Sequence, residues 1–415
     1  MMTSKPIFIY LQRPDNNEWL TVGRYRLSSD SATGVFQYAP SYLTAGFSWS
    51  IDPVNLPIMP EHIYEAPRYR GLHDVLRDAG PDTWGKHFIQ REYQLPQSTH
   101  ESQYLLLSDN AHRWGALAMG ISKEPDIARI GTPRLPELAA LTHELIAISE
   151  RRPATDPRLR RRLVGTPSAG GARPKATIKD KNTWWLVKPF LPSDSVDIPL
   201  LEHATHEWGT LVGLRFAKTV IHRLSETQSV VRVLRFDRSG EQRHMALSAA
   251  SLLQTEYPAV AVNEHTRWSY PRLAEELQRI GAPFSDLREL FGRMVFNAMV
   301  GNDDDHPRNH AVVYNNDLKR WRLAPAFDVV PNPEETPRQL VMQVSAGTWL
   351  ISRASLLADY VRFGFTTYQD AEVVMDALIV RMNDTFSLIA ALLNPELALL
   401  MEQRLAENTQ RLTQT

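Results

Sequence analysis

Between residues 287 and 309 the chain passes from a buried helix to a run of carboxylates with almost no transition. Leu287, Leu290, Phe291, Met294, Val295 and Ala298 recur at the spacing of a helix with one apolar face. Gly301 then stops that helix, glycine being the usual residue just past a C-terminus. The chain continues Asn302-Asp303-Asp304-Asp305-His306-Pro307-Arg308-Asn309-His310. Three adjacent carboxylates repel one another and suit neither helix nor strand. They are tolerable in a loop, and advantageous where a divalent cation has to sit. Short strands over 311–314 and 321–323 are predicted to follow, joined by a polar turn at 315–319.

Bulk properties narrow the remaining choices. The chain has 415 residues, enough for two or three domains, with 43% hydrophobic and 22% charged residues as in ordinary globular proteins. Its 46 basic and 47 acidic residues nearly cancel, so overall charge does not hold it on nucleic acid. There is no cysteine, which excludes disulfides, thiolate metal sites and a cysteine nucleophile. No apolar leader and no 18-residue apolar window occurs, so a cytoplasmic protein with no membrane contact is expected.

The sequence predicts an α+β chain in three parts. Residues 1–125 form a β-rich N-terminal subdomain, with strands at 6–11, 19–24 and 34–38. Residues 126–250 form a second, smaller lobe: a connector at 122–135, a helix at 135–148, a basic run at 151–162, and a glycine-rich loop at 164–175. A strand pair at 175–178 and 184–188 flanks that loop. A helix at 200–214 and a strand at 229–235 complete the lobe. Residues 251–415 are largely helical, including 370–411. There is no internal repeat.

The spacing in the acidic loop is more informative than its charge. Asp304 is followed by four residues and then Asn309, the Asp-x-x-x-x-Asn spacing of protein-kinase catalytic loops. There the Asp accepts the proton of the attacking hydroxyl and the Asn binds Mg²⁺. Phe327-Asp328, after the strand pair, offers a second carboxylate for the metal. Upstream, Lys188 ends an apolar strand and Glu202 begins a helix. A strand lysine on the α/β-phosphates, fixed by a helix glutamate, is the usual nucleotide-positioning pair. The parts therefore run in kinase order: glycine-rich loop, Lys, Glu, Asp, Asn, Asp.

Taken together, Ser168-Ala169-Gly170-Gly171-Ala172-Arg173-Pro174-Lys175, Val187-Lys188-Pro189, Leu234-Arg235-Phe236-Asp237-Arg238, the 301–309 loop and Pro325-Ala326-Phe327-Asp328 resemble the HipA family of kinase toxins from bacterial toxin–antitoxin pairs. The resemblance covers residues 160–335. The first 120 residues match only by strand pattern and by Pro81-Asp82-Thr83-Trp84-Gly85. It implies a two-lobed, protein-kinase-like serine/threonine kinase that uses ATP and Mg²⁺. Gly170, Gly171, Ala172, Arg173, Pro174 and Lys175 would cover the ATP phosphates. Leu234, Arg235 and Phe236 would form the hinge at the adenine, with Asp237 near the ribose. His306, Pro307, Arg308, Asn309, Phe327 and Asp328 would complete the nucleotide and metal site. Ser168 would be autophosphorylated, with Thr166 a rival acceptor. The implied partners are a HipB-type helix-turn-helix antitoxin, DNA through or alongside it, and a protein substrate such as an aminoacyl-tRNA synthetase.

Plainer readings compete. His306 reads as a loop-bracing residue rather than a base, and His310 as no ligand. Glu207 reads as a solvated helix residue. The run Arg158–Arg162 reads as a solvated linker, or else as a contact to DNA phosphates or to phosphorylated Ser168. A metal-dependent phosphoesterase could draw on Asp303, Asp304, Asp305, His306, His310 and Asp328, but it leaves Lys188, Glu202 and the glycine-rich loop idle. A nucleotide-binding corepressor would bind ATP without transferring phosphate.

Overall fold

The structure, a computed structural model, describes residues 5–28, 32–66, 68–125, 127, 131–164, 173–226 and 228–414. The fold is mixed α+β, and the chain divides into two compact units that are discontinuous in sequence. One comprises Met1–Val187, Asp237–Leu247 and Val313–Lys319, and the other the remainder. These units do not follow the expected boundaries at 125 and 250.

The first unit is built on a five-stranded antiparallel sheet. Its strands are β1 (Ile7–Gln12), β2 (Trp19–Leu27), β3 (Gly34–Tyr38), β4 (Tyr64–Ala66) and, after helix α1 (Thr83–Glu92), β5 (Leu117–Gly120). The order is β4-β3-β2-β1-β5. Strand residues that alternate in burial supply an aromatic core of Tyr10, Tyr25, Phe36 and Tyr38. Gly23 is required on β2, because a Cβ there would lie 2.6 Å from the Phe36 ring. Asp82 caps α1, accepting from the Gly85 N–H at 2.8 Å.

Helix α2 (Leu138–Ser149) and helix α3 (Pro157–Val164) follow. The basic run is thus mainly helix rather than linker. Arg160 is buried in an ion pair with buried Glu144, and Arg162 pairs with Glu137 at 2.6 Å. Glu144 also accepts from the backbone N–H groups of Thr155 and Asp156, so it fixes the turn into α3. Of the arginines of this helix only Arg158 and Arg161 are exposed. Next comes a hairpin of β6 (Ala176–Asp180) and β7 (Thr183–Pro189), with Ala176 opposite Val187; Lys188 and Pro189 count with the second unit.

The second unit continues with helix α4 (Ile198–Leu211) and a hairpin of β8 (Thr219–Ser225) and β9 (Gln228–Leu234). Helices α5 (Tyr270–Arg279) and α6 (Phe284–Val300) follow. Next come β10 (Ala311–Asn315), whose last three residues count with the first unit, and β11 (Arg320–Leu323), then α7 (Tyr368–Ala390) and α8 (Pro395–Thr413). Helix α6 is the hub, packing against α5, α7 and α8. Gly301 ends α6 with a left-handed φ of 71°, as its place in the sequence predicts. The helical stretch expected over 370–411 is two helices, because Asn394 caps a new start by accepting from Leu397 N–H at 2.8 Å. Among the described residues no helix is long and apolar enough to cross a membrane.

Candidate active site

The loop after α6 gives its three neighbouring carboxylates three different environments. Asp303 accepts from the Asn332 side-chain amide at 2.9 Å. Asp305 is buried and accepts from the Tyr270 hydroxyl at 2.7 Å and from Val341 N–H at 2.8 Å. Asp304 alone faces outward, its side chain 67% exposed. Mutual repulsion is relieved by turning the three groups apart, and only the middle one stays available for chemistry.

Asp304 is nonetheless held. Its carbonyl accepts from the Asn309 side-chain amide at 2.8 Å, and its carboxylate contacts the Tyr257 hydroxyl at 3.4 Å. His306 stacks on Tyr257 with ring centroids 4.0 Å apart, and its Nε2 lies 3.8 Å from Asp304. The surrounding protein thins the water around this carboxyl, and the Asp328 charge repels it. Both push it upward, to about 6, while its exposure to solvent moderates the effect.

The second cluster centres on Lys188. Its ammonium lies 2.6 Å from Glu202 on α4 and 2.6 Å from Asp328. Burial opposes the charge, but the two carboxylates outweigh it, Asp328 foremost, and the ammonium is held above its ordinary value. Asp328 takes a left-handed φ of 57°, a conformation that Asp tolerates better than most residues. Strained backbone of this kind clusters at functional sites. Lys188, Glu202, Asp304, Asn309 and Asp328 thus form one connected set within a single unit.

An apolar wall lies in the same unit. Phe236 and Phe327 pack with ring centroids 5.4 Å apart, and Phe327 rests on Ala217, Val231 and Val233. Leu234 is half-buried and donates its N–H to Lys218; Arg235 is buried. Pro307 is buried in the loop. Arg308 forks onto Glu256, with Nη2 at 2.6 Å, so its guanidinium is already engaged.

Other expected site residues lie in the first unit. Asp237 is buried, accepts from Gly115 N–H at 2.8 Å and pairs with Arg238 at 3.2 Å. That carboxylate braces the 113–115 turn through its bond to Gly115. Lys175 is buried beside Asp82 at 3.4 Å, Pro174 is buried, and Arg173 is half-buried. Thr166, Ser168, Gly170, Gly171 and Ala172 lie outside the described residues.

Sequence reading missed the residues that support the site. Asn302 donates to Asn297, Asn297 donates to the Tyr270 hydroxyl, and that hydroxyl donates to Asp305. Asn297 sits among the apolar residues of α6, and that anomaly was the available signal. Buried Asp286 accepts from Arg215 at 2.7 Å, from Arg322 at 2.7 and 2.8 Å, and from Leu323 N–H at 2.8 Å. Arg293 donates to the carbonyls of Ala324 and Arg215. Apart from Asn302 and Asp305, none of these residues belongs to a local motif.

The donor set suits a hard cation with few protein ligands. Asp328 offers carboxylate oxygen, and Asn309, its amide nitrogen spent on Asp304, has its amide oxygen left to offer. Magnesium at phosphates needs only one or two such groups. By contrast, no cluster of three or more His, Asp or Glu ligands exists among the described residues. The Asp305 carboxylate is taken by Tyr270 and Val341, and His310 Nε2 lies 3.3 Å from the Asp305 carbonyl. The two-metal phosphoesterase reading thereby loses ligands it needs.

The family model described as the HipA-like C-terminal domain matches residues 167–386, more than half of the chain. In fold the chain is similar to a chain of the solved Shewanella oneidensis MR-1 toxin–antitoxin complex of HipA, HipB and operator DNA. The match covers 98% of this chain and 97% of that one, with a TM-score of 0.71 and 15% identity. A Haemophilus influenzae protein named as a presumed kinase is 30% identical over 109 residues, which is 25% of this chain. The match spans about a third of that relative, 32% of its length.

Proposed function

The chain belongs to the HipA-like C-terminal domain family, and from that premise we propose that it is an ATP- and Mg²⁺-dependent serine/threonine protein kinase acting as a toxin. The observation that carries this reading is the Glu202–Lys188–Asp328 ion-pair chain within electrostatic reach of exposed Asp304. Bound Mg²⁺-ATP supplies the γ-phosphoryl group and the neutralising cation. Asp328 and Asn309 hold the cation. Lys188, kept in place by Glu202, contacts the α/β-phosphates, and Phe236 and Phe327 wall the base. Asp304 orients a protein hydroxyl and takes its proton as the oxygen attacks the γ-phosphorus, whose bond to the bridging oxygen breaks so that ADP leaves. Catalysis is then chiefly positioning and charge neutralisation.

The finer assignments follow the family resemblance. Ser168 is the self-phosphorylated residue, the glycine-rich 170–175 segment covers the phosphates, and an aminoacyl-tRNA synthetase is a fitting substrate. A HipB-type antitoxin is the fitting partner, since the Shewanella HipA occurs in a complex with HipB and operator DNA. The protein acts in the cytoplasm.

Equilibrium binding of ATP with and without Mg²⁺ tests the site. Wild type is expected to bind more tightly with Mg²⁺, and Asp328→Asn to lose that metal dependence. A metal-independent wild type would remove Asp328 and Asn309 from their proposed roles. Binding without transfer to Ser168 or to any other hydroxyl would favour a corepressor.

A further inference from the structure

His206 lies one turn after Glu202 on α4 and is 1% exposed. Its Nδ1 is 3.0 Å from the carbonyl oxygen of Ala217. A carbonyl only accepts, so Nδ1 carries the proton of the neutral ring. Nε2 then faces Glu202 at 3.9 Å, too far for a hydrogen bond, and has no hydrogen-bond partner among the described residues. The ring therefore makes no hydrogen bond to the Glu202–Lys188 pair.

What His206 holds leads directly to Asp328. Ala217 donates its N–H to Ala326 at 2.8 Å, and Ala326 donates its own to Arg215 at 2.8 Å. This parallel bridge, Phe216 opposite Ala326, ends two residues before Asp328. The helix itself lies tight on the bridge. The His206 ring meets Phe216 edge-on at 5.3 Å, and a Cβ on Gly209 would come within 2.2 Å of Phe216. One side chain thus ties the helix that carries Glu202 to the segment that carries Asp328, and Lys188 sits between those two carboxylates.

We propose that His206 is a positioning residue for the nucleotide site. Its Nδ1–H bond to Ala217 sets the spacing between Glu202 and Asp328, and through them the place of the Lys188 ammonium. The geometric claim stands on the structure alone, while its consequence for nucleotide binding rests on the kinase reading.

Two substitutions separate positioning from simple core filling. His206→Asn places an amide N–H near the position of Nδ1 but loses ring volume. His206→Leu keeps most of the volume and leaves the Ala217 carbonyl without its donor. The readout is the rate of reductive methylation at Lys188 in the full-length protein, followed by mass spectrometry, beside the melting temperature of each variant. His206→Leu is expected to label about fivefold faster than wild type, the worth of one buried hydrogen bond. His206→Asn is expected to stay within about twofold of wild type, even though its packing loss costs more stability. A wild-type labelling rate in His206→Leu overturns the proposal. So does a labelling order that simply follows the loss of melting temperature. Mg²⁺-ATP affinity is measured on the same proteins, with weakening expected in the Leu variant only. A wild type that binds no ATP sinks the kinase reading, while the labelling still decides the role of His206.

Discussion

The loop that carries Asp304 and the segment that carries Asp328 each present one carboxylate, but they are held in opposite ways. The Asp304 loop takes part in its own bracing: Asn309 donates to the Asp304 carbonyl, Asn302 and Asp305 bond to the helices beside it, and Asn332 and Val341 add bonds from further along. The Asp328 segment contributes little to its own support. Asp286 and Arg293 of α6 clamp the backbone at 322–324, and Ala326 is paired with the 215–217 stretch. A loop that partly braces itself carries some of its instructions in a local motif. An externally clamped one depends on residues from 31 to 111 positions away, and its motif is correspondingly faint.

The largest effect is expected where the external clamp is cut. Asp286→Ala leaves two arginines without their shared carboxylate and should cost about 3 kcal/mol in urea unfolding, since removing one partner of a buried pair is expensive. Hydrogen exchange should accelerate at 323–328 and stay unchanged at 302–309. Equal loosening of both stretches would erase the contrast. The converse test is Tyr270→Phe, which removes the hydroxyl between Asn297 and Asp305. A loss of about 1–2 kcal/mol is expected, with faster exchange confined to the 302–309 loop.

A smaller effect probes the left-handed backbone at Asp328. Asp328→Asn and Asp328→Ala both delete the charge, but alanine is the worse in this conformation. The Ala variant should be less stable by about 1 kcal/mol. Equal stability would mean that the segment relaxes once the ion pair is gone.

The gentlest change comes from titration. Burial raises the Asp305 carboxyl to about 7 from its ordinary 3.8, so the folded state holds that proton more tightly than the unfolded state. Its contribution is therefore full at low pH and is lost as pH rises from about 4 through 7. A melting temperature followed across that window should decline in wild type and flatten in Asp305→Asn.

Legibility in the sequence follows the same division. The apolar stripe of α6, its stop at Gly301, the alternating strands of the first unit and the Asp304–Asn309 spacing are local patterns and could be read directly. The resemblance carried by the short motifs then led to the HipA family. The discontinuous units could not be read, because 237–247 and 313–319 join the first unit through long-range contacts that leave no period in the sequence. The partners of Asp237 are hidden for a related reason. A motif position says where a residue lies along the chain, not that Gly115 and Arg238 meet its carboxylate. The run Arg158–Arg162 looked like a solvated linker because Glu144, which buries Arg160, stands 16 residues earlier.

We propose that, of three adjacent carboxylates, only Asp304 is positioned for proton transfer in a phosphoryl-transfer site. Wild type, Asp304→Asn and Asp303→Asn, each starting unphosphorylated, are incubated in parallel with Mg²⁺ and γ-labelled ATP. The labelled residue is then mapped by mass spectrometry. Label is expected on Ser168 in wild type and in Asp303→Asn, and none in Asp304→Asn. Label retained in Asp304→Asn, or lost equally in both variants, would contradict it.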